Sequence, residues 1–246
     1  MYATINGLNT YYEINGPENG MVVIFIHGFP FNSAMWKPQV DALKGKFRCI
    51  TYDVRGHGKT EVGDGQYSVE YFVDDLLELM SRLAIAKATI VGLSMGGYIA
   101  LRAAERNPDR IRALVLCDTR SEADGNESKI KRAMQAKTVK IEGSAAFGTG
   151  FVKAVFSTES INSALPAVNQ IKSMIDGVSP VAISATLLAL AARTDTTAAL
   201  SSFTFPVLIL VGESDAITPP SAAQAMRDKI PHAQLQIIPH AAHLSN

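Results

Sequence analysis

The chain has 246 residues, 47% hydrophobic and 19% charged, a globular balance that excludes an intrinsically disordered chain. Its 23 basic residues cancel its 23 acidic ones, so no global field draws it to nucleic acid or to an anionic membrane. Its length allows one domain or two, and surface scaling leaves roughly 10,600 Å² exposed of about 38,000 Å² in the unfolded chain, enough for a large core.

The first twenty residues (MYATINGLNTYYEINGPENG) lack a basic start followed by an apolar run, which argues against a signal peptide. They read as a hairpin, with residues 3–6 and 10–14 alternating about Gly7. Residues 21–26 (MVVIFI) are continuously apolar, as in a strand buried on both faces. Similar runs recur at 47–52, 88–91, 113–116, 207–211 and 235–238, all far too short to span a bilayer. Cys49 and Cys117 fall in two of these runs. Two buried thiols suit a reducing, cytoplasmic compartment and are too few for a disulfide scaffold.

Helical patterns separate the runs. In residues 68–83, Ser68 is placed to cap a helix on which Val69, Phe72, Val73, Leu76, Leu77 and Met80 recur at 3.6-residue spacing. A second pattern starts near Met95 and stops before Pro108, and a third begins at Pro220 with Ala223, Met226 and Ile230 on one face. This alternation predicts the α/β class, with a mainly parallel central sheet of about eight strands and flanking helices. Between residues 122 and 202 the alternation stops. Helical patterns there run through 127–141, 145–156, 160–175 and 180–192, broken at Gly143, Pro166 and the segment 177–180. We read 122–202 as a helical insertion in a core made of 1–121 and 203–246. Its Met134, Phe147, Phe151, Phe156 and Met174 are expected mostly to bury the insertion's own core, with some lining a pocket. Lys129, Lys131, Arg132, Lys137 and Lys140 read as a solvated helix face, and Trp36 as core.

The strongest chemical signal is Gly92-Leu93-Ser94-Met95-Gly96. By glycine frequency such a pentapeptide arises by chance about one time in ten in a chain of this length. Its setting is what gives it force: a buried run ends just before it and a helical pattern starts just after it, the strand–turn–helix context of a nucleophile elbow. Side chains two residues either side of so sharp a turn would collide, which Gly92 and Gly96 avoid. The helix start aims free N–H groups at Ser94, so the Met95 N–H is a natural oxyanion donor. A serine hydroxyl needs a base, and the base an orienting acid. His27, His57 and His232 lie at a strand end, in a Gly-rich loop and in a turn, while His240 and His243 follow the last predicted strand. Asp215 follows the 207–211 run, and Asp118, also at a strand end, is its rival. Gly58-Lys59-Thr60 looks like the end of a phosphate-binding loop, but Asp53 stands where that motif needs glycine. No metal-ligand spacing accompanies the histidines.

With these pieces in hand, the chain resembles the α/β-hydrolase fold superfamily along nearly its whole length. More narrowly it is similar to small bacterial esterases, enol-lactonases and cofactor-free haloperoxidases. The matching pieces are His27-Gly28-Phe29-Pro30, the segment from Tyr52 to Gly58, the elbow through Gly97, Gly212-Glu213-Ser214-Asp215, and Pro239 through Leu244. The resemblance implies Ser94 as nucleophile, Asp215 as acid and His243, rather than His240, as base. It adds the Phe29 N–H as second oxyanion donor, gives His27 and residues 53–58 a supporting role, and makes 122–202 a cap. Phe29, Phe147, Phe151 and Ile217 are then the candidate pocket residues. It implies a serine carboxylic ester hydrolase or lactonase acting on small apolar substrates, with no cofactor or metal and neither nucleic acid nor membrane as partner. Acyl-homoserine lactonase, perhydrolase and hydrolase-fold receptor are the alternatives, and a monomer or a homodimer is expected. Similar proteins carry a helix after the base, where only Leu244, Ser245 and Asn246 follow His243. A chain lacking that helix is expected to be less stable, with unchanged chemistry.

Overall fold

The computed structural model describes residues 1–163 and 166–246. Strands β1 (Tyr2–Ile5) and β2 (Leu8–Asn15) form the expected hairpin about Asn6 and Gly7. There follow β3 (Met21–Ile26), α1 (Lys37–Leu43), β4 (Phe47–Tyr52), α2 (Val69–Arg82), β5 (Ala88–Leu93), α3 (Met95–Arg106) and β6 (Ile111–Cys117). Five helices come next: α4 (Asn126–Glu142), α5 (Ser144–Val155), α6 (Thr158–Asn162), α7 (Pro166–Asp176) and α8 (Pro180–Ala191). The chain returns to the sheet with β7 (Val207–Gly212), α9 (Pro220–Lys229) and β8 (Gln234–Ile238).

The eight strands form one sheet in the order β1-β2-β4-β3-β5-β6-β7-β8. From β4 to β8 every pairing is parallel, and β2 runs antiparallel to β4. This is the α/β architecture that the alternation of patterns predicts. The inner strands carry unbroken apolar runs because helices cover both sheet faces: Ile24, Phe25 and Ile26 of β3 are at most 1% exposed. On α2 the Ser68 hydroxyl accepts a hydrogen bond from the Tyr71 N–H at 3.1 Å, and Val69, Phe72, Val73, Leu76, Leu79 and Met80 are buried. Burying one such large apolar side chain is worth about 2 kcal/mol. Trp36 is core, tilted against Phe25, and both cysteines are buried and unpaired.

Three elements differ from the sequence reading. Helix α1 was not anticipated, because it buries only Val40 and so carries no apolar period. The expected helix over 160–175 is divided into α6 and α7. Pro166 opens α7, since proline lacks the N–H that a helix interior needs but fits a first turn. Ala164 and Leu165, which fell inside that expected helix, lie outside the described residues. Strand β8 was grouped with the buried strands but is the sheet edge, with Gln234, Gln236 and Ile237 exposed. Among the described residues no single helix is long and apolar enough to cross a bilayer.

The parallel strands place their C-terminal ends on one edge of the sheet, where open α/β sheets bind ligands. The close packing there is testable. A Cβ at Gly96 would fall on the Ile26 carbonyl, backbone that cannot swing aside. Gly96→Ala should therefore destabilise the fold by about 2 kcal/mol or more in urea unfolding. Gly45→Ala, with nothing within 4 Å of the added carbon, should change stability by less than about 1 kcal/mol.

Candidate active site

Ser94 is the one residue between β5 and α3. Its backbone sits at φ 53, ψ −112, in a region that costs a non-glycine residue of order 1–3 kcal/mol. The strain is held by packing: a Cβ at Gly92 would strike the Gly96 backbone, so the two glycines the elbow predicted are both needed. The Ser94 N–H bonds to the Cys117 carbonyl of β6 at 2.9 Å, and its own carbonyl accepts from the Thr119 hydroxyl at 2.9 Å.

The Ser94 Oγ lies 2.8 Å from His243 Nε2, and His243 Nδ1 lies 2.8 Å from Asp215 Oδ2. Asp215 follows β7 and His243 follows β8, so three adjacent strand ends supply the row. All three residues are at most 9% exposed. Asp215 Oδ1 accepts the N–H groups of Ile217 (2.8 Å) and Thr218 (3.0 Å), and its Oδ2 also accepts the Thr218 hydroxyl at 2.7 Å. Burial alone would raise the Asp215 carboxyl. The bonds from His243 and Thr218 outweigh it and hold the group below its ordinary value. Thr218 was not singled out from sequence. Its signal is the Asp215–Thr218 spacing, that of a turn closed by a carboxylate on the backbone ahead of it.

The rivals separate cleanly. Asp118 does not bond His243; its carboxylate accepts from the Gly212 N–H and from Ser245. His240 is exposed, with its N–H on Glu213. His232 bonds the Phe205 carbonyl.

The loop after β3 brings Phe29 to the same edge. Among the described residues neither the Phe29 nor the Met95 N–H finds an acceptor. Beneath this loop, His27 Nε2 accepts the Val54 N–H at 2.9 Å while its Nδ1–H donates to the Gly28 carbonyl at 2.8 Å. Asp53 accepts from the Ser33 N–H at 2.7 Å and the Lys59 N–H at 2.8 Å. The Gly58-Lys59-Thr60 segment is thus part of this support, with the Thr60 hydroxyl on the Asp53 carbonyl.

Phe147 and Phe151 of α5 stack on one another, and both meet the Phe29 ring edge-on with centroids 5.9 and 5.8 Å away. On their other side a groove of about 720 Å³ runs between α4 and α5, with Ile130, Met134 and Val139 opposite the two rings. Ser94 does not line it. Met134 is exposed in this groove rather than packed in a core of the insertion. Ile217, expected in the pocket, does not line the groove either. Its N–H is committed to Asp215, and its side chain packs against an apolar cluster that also takes in Phe31, Phe147, Phe151 and Leu244. Among the described residues no three His, Cys, Asp or Glu side chains gather as a metal site.

Residues 21–246 match the family model described as the alpha/beta hydrolase fold, and the chain belongs to that family of hydrolases. It is 30% identical over 237 residues to 3-oxoadipate enol-lactonase 1 of Acinetobacter baylyi, covering 95% of this chain and 86% of the relative. Among solved structures, a thermophilic esterase from Thermogutta terrifontis superposes with a TM-score of 0.94 at 34% identity, covering 99% of this chain and 91% of that one. The enol-lactonase from Burkholderia xenovorans LB400 gives 0.93 at 29% identity, covering 100% of this chain and 94% of that one.

The supporting histidines have a pH signature. Burial lowers His27, although Asp53 nearby opposes it, and burial together with His27 pushes His57 down to about 3. An unfolded chain takes up these protons near the ordinary histidine value and the fold does not, so stability falls as pH drops below that value. Long-range ¹H–¹⁵N spectra at pH 5 should show the His27 and His57 imidazoles neutral, with the proton on Nδ1 facing the Gly28 and Arg55 carbonyls. Charged His27 and His57 at pH 5 would contradict this reading of the support.

Proposed function

We propose that this protein is a serine hydrolase that cleaves carboxylic esters or lactones of small apolar substrates through an acyl-enzyme on Ser94. The observation that carries the reading is the hydrogen-bonded row from Ser94 Oγ through His243 to Asp215. The same elements give each group its role. His243 Nε2 takes the hydroxyl proton as the Ser94 oxygen attacks the substrate carbonyl. Asp215, ionised and held by Thr218, stabilises the imidazolium and keeps the remaining ring proton on Nδ1. The charge that develops on the carbonyl oxygen meets the N–H groups of Phe29 and Met95, both free of internal acceptors among the described residues. The tetrahedral intermediate collapses, and the leaving alcohol takes the proton from His243. In a lactone that alcohol stays tethered to the acyl group. Water, deprotonated by His243, then attacks the acyl carbonyl and releases Ser94.

Substrate size follows from the aromatic wall. Phe29, whose N–H is one of the two oxyanion donors in this reading, packs with Phe147 and Phe151 into an apolar wall, and an acyl group bound beside that wall is expected to be a short chain or a compact ring. The kinship with enol-lactonases and an esterase supports both ester and lactone substrates. Residues 122–202 serve as the cap over this site, and Phe147 and Phe151 are its contribution to selectivity.

Steady-state hydrolysis of p-nitrophenyl esters from acetyl to dodecanoyl tests this. Multiple turnovers with a short-chain optimum are expected. Ser94→Ala should cost at least about 10³-fold in kcat, and Asp215→Asn about 10⁴-fold. Phe147→Ala should move the optimum to longer chains by opening the wall to the groove. Equal rates for the wild type and Ser94→Ala on esters and lactones alike would refute the proposal.

A further inference from the structure

The turn after β6 touches the supports of all three residues in the row. Thr119 donates its hydroxyl to the Ser94 carbonyl at 2.9 Å. The Arg120 guanidinium reaches the Ile217 carbonyl at 3.4 Å, in the loop whose N–H groups hold Asp215. Asp118 does most. Its Oδ1 accepts the Gly212 N–H, at the end of β7, at 2.8 Å. Its Oδ2 accepts both the N–H (3.1 Å) and the hydroxyl (2.6 Å) of Ser245, two residues beyond His243. Its own N–H bonds the Leu210 carbonyl of β7 at 2.9 Å.

From this geometry we infer that Asp118 is a positioning residue, a clasp that fixes the His243 segment against the end of β7 so that His243 Nε2 stays in line with Ser94. The inference rests on the hydrolase reading above. The chain needs such a clasp because His243 lies in a loop beyond the exposed edge strand β8, where few apolar contacts hold it. Leu244 and the Ser245 contacts are its anchors on the far side.

The chemistry of residue 118 is specific. Three donors converge on two oxygens, which an ionised carboxylate satisfies and an amide, with one acceptor atom, does not. Burial raises the Asp118 carboxyl to about 6 and the bonds from Ser245 and Gly212 oppose that rise, so the carboxylate with its full acceptor set is present above about pH 6. The backbone at residue 118 has φ 45. Asparagine adopts that conformation readily, so Asp118→Asn removes acceptor capacity without adding backbone strain. An alanine would confound the two.

The test uses the full chain, with p-nitrophenyl acetate as substrate and hydrogen exchange as a readout independent of activity. Asp118→Asn should lower kcat by about 10- to 100-fold, the cost of a misplaced base, with KM within about threefold of wild type. Ser245→Ala, at the outer side of the clasp, should lower kcat by a smaller factor in the same direction. It carries the test alone if the first variant does not fold. Because both changes break one unit, the double variant should be no slower than Asp118→Asn. The peptide carrying His243 and Ser245 should exchange at least about tenfold faster in Asp118→Asn, while peptides of β3 and β5 stay protected.

Unchanged kcat in both variants, strictly multiplicative losses in the double variant, or an unaltered exchange rate at 243–245 would each overturn the clasp. Loss of activity in Ser94→Ala together with full activity in Asp118→Asn defeats the clasp and leaves the hydrolase reading standing. A wild type without Ser94-dependent turnover defeats that reading, and the exchange rates still decide whether Asp118 orders the His243 segment.

Discussion

Everything at this site depends on one turn, in which the chain leaves β5, passes Ser94 and enters α3 with no intervening loop. A backbone at φ 53, ψ −112 is costly for serine, and nothing local compensates it. It persists because β5 is flanked by β3 and β6, because Gly92 and Gly96 clear the space on either side, and because Ser94 is tied through its N–H to Cys117 of β6 and through its carbonyl to the Thr119 hydroxyl just beyond it. The Ser94 hydroxyl is thus held by the sheet rather than by its own rotamer preferences. The fold places the imidazole opposite it from a different strand end.

The supports of the row come from two sides of the sheet. On the β3–β4 side, His27, Asp53 and the segment to Thr60 hold the loop after β3 through five bonds, two of them to the Asp53 carboxylate. On the β7–β8 side the bonds converge on two buried carboxylates, Asp215 and Asp118. Asp215 is fixed by Thr218, and the His243 segment by Asp118 and Ser245. The α5 aromatic pair packs edge-on against Phe29, at the end of the β3 loop. The insertion is tied down at its root: Asp124 pairs with Arg132 and Arg193, and the Arg193 guanidinium lies 4.3 Å from the Tyr98 ring, one turn along the helix that begins at Ser94.

What was legible in the sequence is what local physics encodes. The runs at 21–26 and 47–52 match β3 and β4 residue for residue, because a strand buried on both faces leaves a continuous apolar signature. Ser68 and Pro220 mark helix starts for the reasons any helix needs a cap or tolerates a proline. The elbow was legible because steric clearance imposes glycine at fixed offsets from the serine. Helix α1 was not, since a single buried valine leaves no period to detect. Nor was the part played by Asp118 or Thr218. Asp118 acts on Gly212 and Ser245, nearly a hundred residues away or more, and only the adjacency of β6 and β7 brings them together.

The central claim is that Ser94, activated by His243, is the nucleophile. The most direct measurement is to treat the protein with a fluorophosphonate and locate the adduct by peptide mass spectrometry. The account predicts one adduct per chain, on the peptide carrying Ser94, with loss of hydrolysis in step with labelling and protection by a short-chain ester. An adduct on another serine, or none under conditions where the chain still turns over esters, would contradict it.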